Sequence, residues 1–338
     1  MSIFTESETR GLVRAVLSRA GVPACNVGIQ LDMLLEAELR GVTSHGLLRL
    51  ERIVARIANG VADPVTAGTH HWRAPGFLAV DGERGLGPVV AFRALDALCE
   101  RARTNGIAVA AIRNSNHIGM LGWYVEEVAR KGFSAIALST SEALVHPWGA
   151  KRAVMGTNPI AIAVPTGDDA PFMMDTATSL VSMGEIHDHA SRGAAIPLGW
   201  ALDADGNPTT DAVAAKAGAI APLGGAKGYA LGLAFELLVA ALSGAAVGAD
   251  VVGTLDSDRV CTKGDVFIVM DGPNPDLRGF LQGIRDLEPA DGFPGVLVPG
   301  ERGRDCKRRR QREGLPIPDA LWSRMQDLAG ATAPAETS

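Results

Sequence analysis

Residues 107–119, IAVAAIRNSNHIG, decide how the rest of the chain is read. An apolar run from Ile107 to Ile112 gives way to Arg113, Asn114, Ser115 and Asn116, then to His117, Ile118 and Gly119. A short apolar run bounded by polar and turn residues reads as a buried strand. Its end is a change of chemistry, from aliphatic side chains to small amides, a hydroxyl and an imidazole. In α/β folds ligands collect at the carboxyl ends of strands. An imidazole exchanges a proton near neutral pH, as hydride transfer to or from a carbonyl or imine requires. The plain alternative is a loop histidine satisfied by its neighbours, and this stretch alone does not choose between them.

Outward from it, FLAVDG (77–82) reads as a strand and turn, and residues 89–102 read as a helix. On the other side a helix is expected over residues 121–130 and a strand over SAIALSTS (134–141). Such alternation indicates an α/β unit. The first sixty residues read as helical. Thr5 with Glu8 makes a capping-box pattern ahead of Leu12, Val13, Val16 and Leu17. Leu31, Met33, Leu34, Leu35, Ala37 and Leu39 form a second segment, and after Gly41 a third helix is expected with Ser44 as its cap. Residues 59–76 read as a connector. Further on, AIAVPT (161–166), PFMMD (171–175) and DVFIVMD (265–271) read as strands, and residues 229–242 as an Ala- and Leu-rich helix. From Glu301 the chain returns to helix, broken at Gly314, Leu315 and Pro316, and the tail ATAPAETS (331–338) reads as disordered.

Composition limits the partners. The chain has 338 residues, 47% hydrophobic and 21% charged, as in ordinary globular proteins. Its 40 glycines exceed the usual share of roughly 7% and fit a protein with many tight turns. A net charge of −6 and only 5% aromatic residues argue against nucleic acid as a partner in both charge and stacking chemistry. Cys25, Cys99, Cys261 and Cys306 lie far apart without a C-x-x-C, which fits a reducing compartment and no zinc knuckle. The first residues carry Glu6, Glu8 and Arg10 where a signal peptide would be apolar, and no apolar run of membrane-spanning length is free of a charge or a glycine-rich break. A cytoplasmic protein without a membrane partner is the expectation.

Several stretches carry candidate chemistry. With Ser44 as cap, His45 falls in the first helical turn and Arg49 one turn later on the same face. A neutral histidine and a guanidinium together can hold the carboxylate and oxygen of a small oxo or hydroxy acid; a cap residue and a surface ion pair are the bland reading. Neither GERGLGP (82–88) nor GGAKGYALG (224–232) has the spacing of a dinucleotide fingerprint or a phosphate loop. Lys227 between glycines at a helix start still suits an anion. Asp175, Thr176, Ala177, Thr178 and Ser179 make a polar strand end. DADGNP lacks the glycine position and closing Glu of a calcium loop, and no metal site is expected. RGRDCKRRRQR (302–312), with seven basic residues in eleven, reads as a solvated helix face, with phosphate or subunit contact as the alternative.

In order along the chain, SHGLLRL, DGERGLGPVVAFRAL, NSNHIGMLGWY, GTNPIAIAVP, MMDTATS, IPLGWALDADGNPTTD, LGGAKGYALGLAFELL and PGE at 299–301 resemble the malate/L-lactate dehydrogenase family of NAD(P)-dependent oxidoreductases. That family is distinct from the Rossmann-fold lactate and malate dehydrogenases. It includes sulfolactate, ureidoglycolate and certain malate dehydrogenases, diketogulonate reductase and piperideine-2-carboxylate reductase. The resemblance covers about residues 5–315. It implies an α/β, non-Rossmann fold of the sulfolactate-dehydrogenase type, with a mixed or antiparallel sheet layered with helices and a helical domain from both termini. The implied division is residues 1–72 with 301–338 as the helical domain, 73–122 carrying the catalytic histidine, and 123–300 binding NAD(P).

The resemblance also implies a homodimer and assigns residues. His117, or in some members His45, is the proton donor and acceptor. Arg49 binds the substrate carboxylate with Ser44 beside it, and Asn158 and Pro159 shape the site. Ser141, Asp175, Thr176, Ala177, Lys227, Gly228, Gly300 and Glu301 meet the cofactor, with NAD preferred here and NADP as the second option. The expected reaction is hydride transfer between nicotinamide and a small 2-hydroxy or 2-oxo acid, with cyclic imine acid reduction as the alternative and a catalytically silent binding protein as the rival from another class. One departure stands out: many members have a double glycine where this chain has Gly149 and Ala150. Alanine restricts the backbone relative to glycine.

Overall fold

The computed structural model describes residues 1–330; the expectation for the tail at 331–338 lies outside the described residues. Strand β1 (Ser2–Phe4) is followed by helices α1 (Glu6–Arg19) and α2 (Ala24–Leu39), two 3₁₀ turns at Thr43–His45 and Leu47–Arg49, and α3 (Leu50–Ala58). Then come β2 (Thr69–Ala74), β3 (Phe77–Asp81), α4 (Gly87–Asn105), β4 (Ile107–Arg113), α5 (Leu121–Arg130) and β5 (Ser134–Ser139). The middle of the chain holds β6 (Ile160–Val164), β7 (Phe172–Thr176), α6 (Met183–Ser191), the short strands β8 (Ala201–Leu202) and β9 (Pro208–Thr209), α7 (Ala212–Ala215) and β10 (Ala219–Ile220). It closes with α8 (Ala226–Ser243), β11 (Gly264–Met270), α9 (Arg278–Arg285), α10 (Glu301–Glu313), β12 (Leu315–Ile317) and α11 (Asp319–Ala329).

The main sheet has seven strands in the order β2-β3-β4-β11-β5-β6-β7. Only β3 and β4 run parallel, so the sheet is mixed and mostly antiparallel, as the resemblance implies. Its interior explains why residues 107–112 carry no polar side chain. Ala108, Ala110 and Ile112 face the large core shared with α2, α4 and α5. Ala111 instead packs with Leu138, Val239 and Val266 in a smaller core beneath α8. A strand covered by helices on both faces needs apolar residues at every position. The termini meet in an antiparallel β1–β12 pair, with the Phe4 and Trp322 rings stacked at 3.6 Å.

Three local expectations change. Ser44 caps no helix: it lies inside a 3₁₀ turn, and α3 begins only at Leu50. The cause is tertiary, because the Leu47 amide donates to the buried Glu38 carboxylate of α2 at 3.2 Å, which holds the segment in two tight turns. The connector at 59–76 contains β2, an exposed edge strand, THHWRA, whose polar sequence lacks the apolar alternation of a half-buried strand. The break at 314–316 is itself strand, β12.

By length and composition α8 is apolar enough to cross a bilayer. Here it packs one side on the sheet, and its Glu236 is buried and held by Asn158 at 2.6 Å. Leu231, Leu237 and Leu238 stay exposed on it. Ala150 needs no glycine, since the left-handed turn falls on Gly149 and the Ala150 amide closes it onto Pro147 O at 2.9 Å.

Candidate active site

The polar residues after β4 divide into clasps and one free group. Asn114 donates to the Asp81 carboxylate at 2.8 Å. Buried Asn116 donates to Arg84 O and Gly85 O and accepts from Arg56 Nε at 2.7 Å. These bonds tie the strand end to the ERGLG turn and to α3. Among the described residues the His117 ring is bound only by its own loop: the Gly119 amide donates to Nδ1 at 3.1 Å. Gly119 has φ +76, and a Cβ there would lie 2.0 Å from Met33 Sδ, so only glycine makes this turn into α5.

His117 opens onto a cleft of about 610 Å³, within the usual range for small-molecule and cofactor sites of roughly 300–1,000 Å³. Ser44, His45, Arg49, Ser141, Pro159, Asp175, Thr176, Ala177 and Gly300 line the same cleft. The His45 and His117 rings stand 5.4 Å apart between centroids, tilted by 34°. His45 Nδ1 meets Ser44 Oγ at 2.9 Å. Arg49 Nε donates to Ser44 O at 2.7 Å, and Nη1 reaches Thr254 O at 3.5 Å. Arg49 thus holds backbone carbonyls and, among the described residues, no carboxylate.

These groups share one electrostatic environment. Burial, with Arg49 next to it, lowers the His45 pKa to about 4. Burial, then Arg49, His45, Lys263 and Arg52, hold His117 well below the ordinary imidazole value. Burial lowers Arg49 to about 10, Arg52 adds to that, and Glu142 opposes it. Both imidazoles are therefore neutral at pH 7. With Nδ1 accepting from Gly119, the neutral His117 ring carries its proton on Nε2.

The other wall begins at Asp175, at the end of β7. Its carboxylate opens into the cleft yet is ringed by protein, and it accepts the Gly122 amide at 2.7 Å in the first turn of α5. Burial raises its pKa to about 6, against the Gly122 amide and Arg40. Met173, Met174, Leu297 and Val298 make this wall apolar, and Gly300 and Arg302 stand at its rim. An apolar slot of this volume, with a rim guanidinium lacking a carboxylate partner among the described residues, has room and charge for a dinucleotide cofactor.

Other residues singled out in the sequence do not reach the cleft. Asn158 is fully buried and bonds Gly232 O and Glu236. Lys227 is exposed at the start of α8. Gly228 packs where a Cβ would lie 1.8 Å from Leu223 O, a close-approach glycine. Glu301 ties Arg285 and the Val298 amide, shaping the turn that presents Gly300. Conversely, Arg40, Glu142, Leu144 and Met183 line the cleft unforeseen. Each is a single residue in no spacing pattern.

The family model for malate/L-lactate dehydrogenase matches residues 4–326. L-sulfolactate dehydrogenase of Methanocaldococcus jannaschii is 35% identical, over 97% of this chain and 96% of that protein. Delta(1)-pyrroline-2-carboxylate/Delta(1)-piperideine-2-carboxylate reductase of Pseudomonas aeruginosa is 34% identical, over 94% of this chain and 96% of that one. The crystal structure of a dehydrogenase from Sinorhizobium meliloti superposes with a TM-score of 0.93 at 48% identity, covering 97% of this chain and 98% of that one. The chain belongs to the malate/L-lactate dehydrogenase family and is a nicotinamide-dependent oxidoreductase of the hydroxy-acid class.

Proposed function

We propose that this enzyme interconverts a small 2-hydroxy acid and its 2-oxo acid, with His117 as the acid/base group and Arg49 as the carboxylate anchor. The observation that carries the reading is the Arg49 guanidinium, near two neutral imidazoles and bonded to no carboxylate among the described residues. A charged group enclosed in this way is completed by a ligand anion. When bound, nicotinamide supplies or takes up the hydride at the carbon next to that carboxylate. Ser141, Asp175, Thr176, Ala177 and Gly300 form its wall in this reading, and Lys227, Gly228 and Glu301 hold or shape more distant parts.

Nε2 is the nitrogen that meets substrate in this reading, and it can accept or return a proton only when the ring's other proton sits on Nδ1, so the Gly119 amide contact opens as the ring takes up that tautomer. A protonated ring would set an Nδ1–H against the Gly119 N–H, which joins burial and the nearby cations in keeping it neutral. The substrate carboxylate, once beside Arg49, offsets that positive field and lets His117 carry the proton that accompanies the hydride. His45, fixed by Ser44, holds the neighbouring oxygen.

The exposed leucines of α8 support a homodimer through that helix, and NAD is the preferred cofactor. The test is a panel of 2-oxo acids and cyclic imine acids with NADH and with NADPH, followed by loss of the reduced-nicotinamide absorbance. Consumption of at least one acid is expected, and the KM values of the two cofactors separate NAD from NADP. If no acid in the panel is consumed with either cofactor, the reading fails.

A further inference from the structure

Glu142 lines the cleft beside the groups that would meet substrate, and neither the reaction nor cofactor binding calls for it. Its Oε1 accepts three bonds from one loop: the Thr254 amide at 2.7 Å, Thr254 Oγ1 at 3.0 Å and the Leu255 amide at 2.8 Å. Oε2 makes no hydrogen bond among the described residues. The same Thr254 offers its carbonyl to Arg49 Nη1 at 3.5 Å. One residue therefore bridges the anion and the cation, and Glu142 is the acid that acts electrostatically on Arg49. The carboxylate is fixed in place, not a mobile surface acid.

Apart from Arg49, the surrounding charges leave its field uncompensated. Arg49 is committed to the substrate carboxylate in the reading above. Arg52 faces a smaller cavity behind His117, not the cleft. Arg40 lies under Gly303 with Arg302 nearby, at the Gly300 end. The first turn of α6 borders the cleft at Met183 and Gly184, but it carries its own acid, Glu185, whose amide is capped by Ser182. The remaining wall near the histidines mixes apolar Val42, Met120, Leu144 and Leu255 with the hydroxyls of Ser44, Ser141 and Thr157 and carries no further cation.

We propose that Glu142 determines specificity, turning away acids with a second anionic group and favouring monocarboxylates, above all those with a neutral or cationic group beside the reacting carbon, as in a protonated cyclic imine acid. The physical basis is repulsion between like charges at short range in a partly desolvated cleft, where hydroxyls but no uncommitted cation face a second anion near the histidines. The proposal rests on the oxidoreductase reading above and goes further by naming the class of substrate.

The experiment compares kcat/KM of the wild type and Glu142→Gln on 2-oxobutyrate, Δ1-piperideine-2-carboxylate, oxaloacetate and 3-sulfopyruvate. Glutamine keeps an acceptor for the three loop bonds and removes the charge. The wild type is expected to favour the two monoanions by about tenfold or more, and E142Q to narrow that ratio by about tenfold through the KM of the dianions. Wild-type preference for the dianions overturns the proposal. So does an E142Q effect equal on both classes, which would make Glu142 a loop clamp only. Should E142Q fold poorly, competitive inhibition of the wild type by butyrate against succinate decides: weaker inhibition by succinate supports the charge, and equal or stronger inhibition overturns it. Turnover of no acid at all would sink the oxidoreductase reading itself, whereas turnover with dianion preference removes only the role of Glu142.

Discussion

Arg40 and Arg49 line the same cleft and are treated in opposite ways. Arg40 is buried between two acids, Glu36 at 2.7 Å and Glu126, and Lys307 returns from α10 to the same Glu36. Burial works against its charge, but Glu126 and Glu36 outweigh it and hold its pKa above the ordinary value. Arg49 has the burial with no acid bonded to it among the described residues, only Glu142 acting from a distance, and its pKa falls to about 10. A buried cation that the protein neutralises itself belongs to the structure. One left to backbone carbonyls waits for an anion from outside.

The largest effect expected on that contrast comes from the proton-transfer group. His117→Ala should lower kcat by about 10²- to 10⁴-fold while leaving thermal stability near that of the wild type. Near-normal turnover on the true substrate would move the role to His45. The pH profile gives the sign. Both histidine pKa values are depressed, so kcat/KM for oxidation, which needs a neutral base, should stay level from pH 8 down to about 6 with respect to these groups. The reductive direction, which needs the protonated ring, should rise as pH falls through the same range.

Next in size is Arg40→Met, which leaves Glu36 and Glu126 without their central partner. A loss of about 3–5 kcal/mol in unfolding free energy is expected by urea titration, as for other broken buried pairs. Arg49→Ala should do the reverse: little change in stability, and a rise in substrate KM of about 10- to 150-fold, the value of a charged hydrogen-bonded pair of roughly 1.5–3 kcal/mol. If Arg49→Ala proved the more destabilising of the two, the division between structural and ligand-binding arginine would collapse.

How much of this was legible beforehand follows the range of the forces. The span of α5, residues 121–130, was readable because its apolar spacing and flanking turns are local. So was β4, whose unbroken apolar run reflects cover on both faces. The His45 and Arg49 pairing was also readable, but through the wrong geometry: Glu38, from α2, winds that segment into 3₁₀ turns that no cap signal announces. The basic run at 302–312 read as a solvated face, yet Lys307 and Arg310 turn inward to Glu36 and Glu38, acids far away in the chain. Glu142 gave no signal, because its role depends on a loop that arrives more than a hundred residues later.

The smallest predicted effect tests whether the cofactor wall, like Arg49, is kept electrostatically unsatisfied. Asp175 has a pKa raised to about 6 by burial, above its usual 3.8, even with the Gly122 amide on Oδ2. A folded-state pKa above the unfolded one means that the stability it contributes is present below about pH 4 and is lost as pH rises through 6. Asp175→Asn keeps an acceptor for Gly122 and cannot ionise. Its melting temperature should therefore match the wild type near pH 4 and exceed it by a few degrees at pH 8, the gap opening between the two pKa values. The carboxylate is open to cleft water, so solvent screening keeps the gap small. A variant that lost stability uniformly with pH would show Asp175 to be an ordinary helix cap, and the unbalanced charge at Arg49 would have no counterpart in the opposite wall.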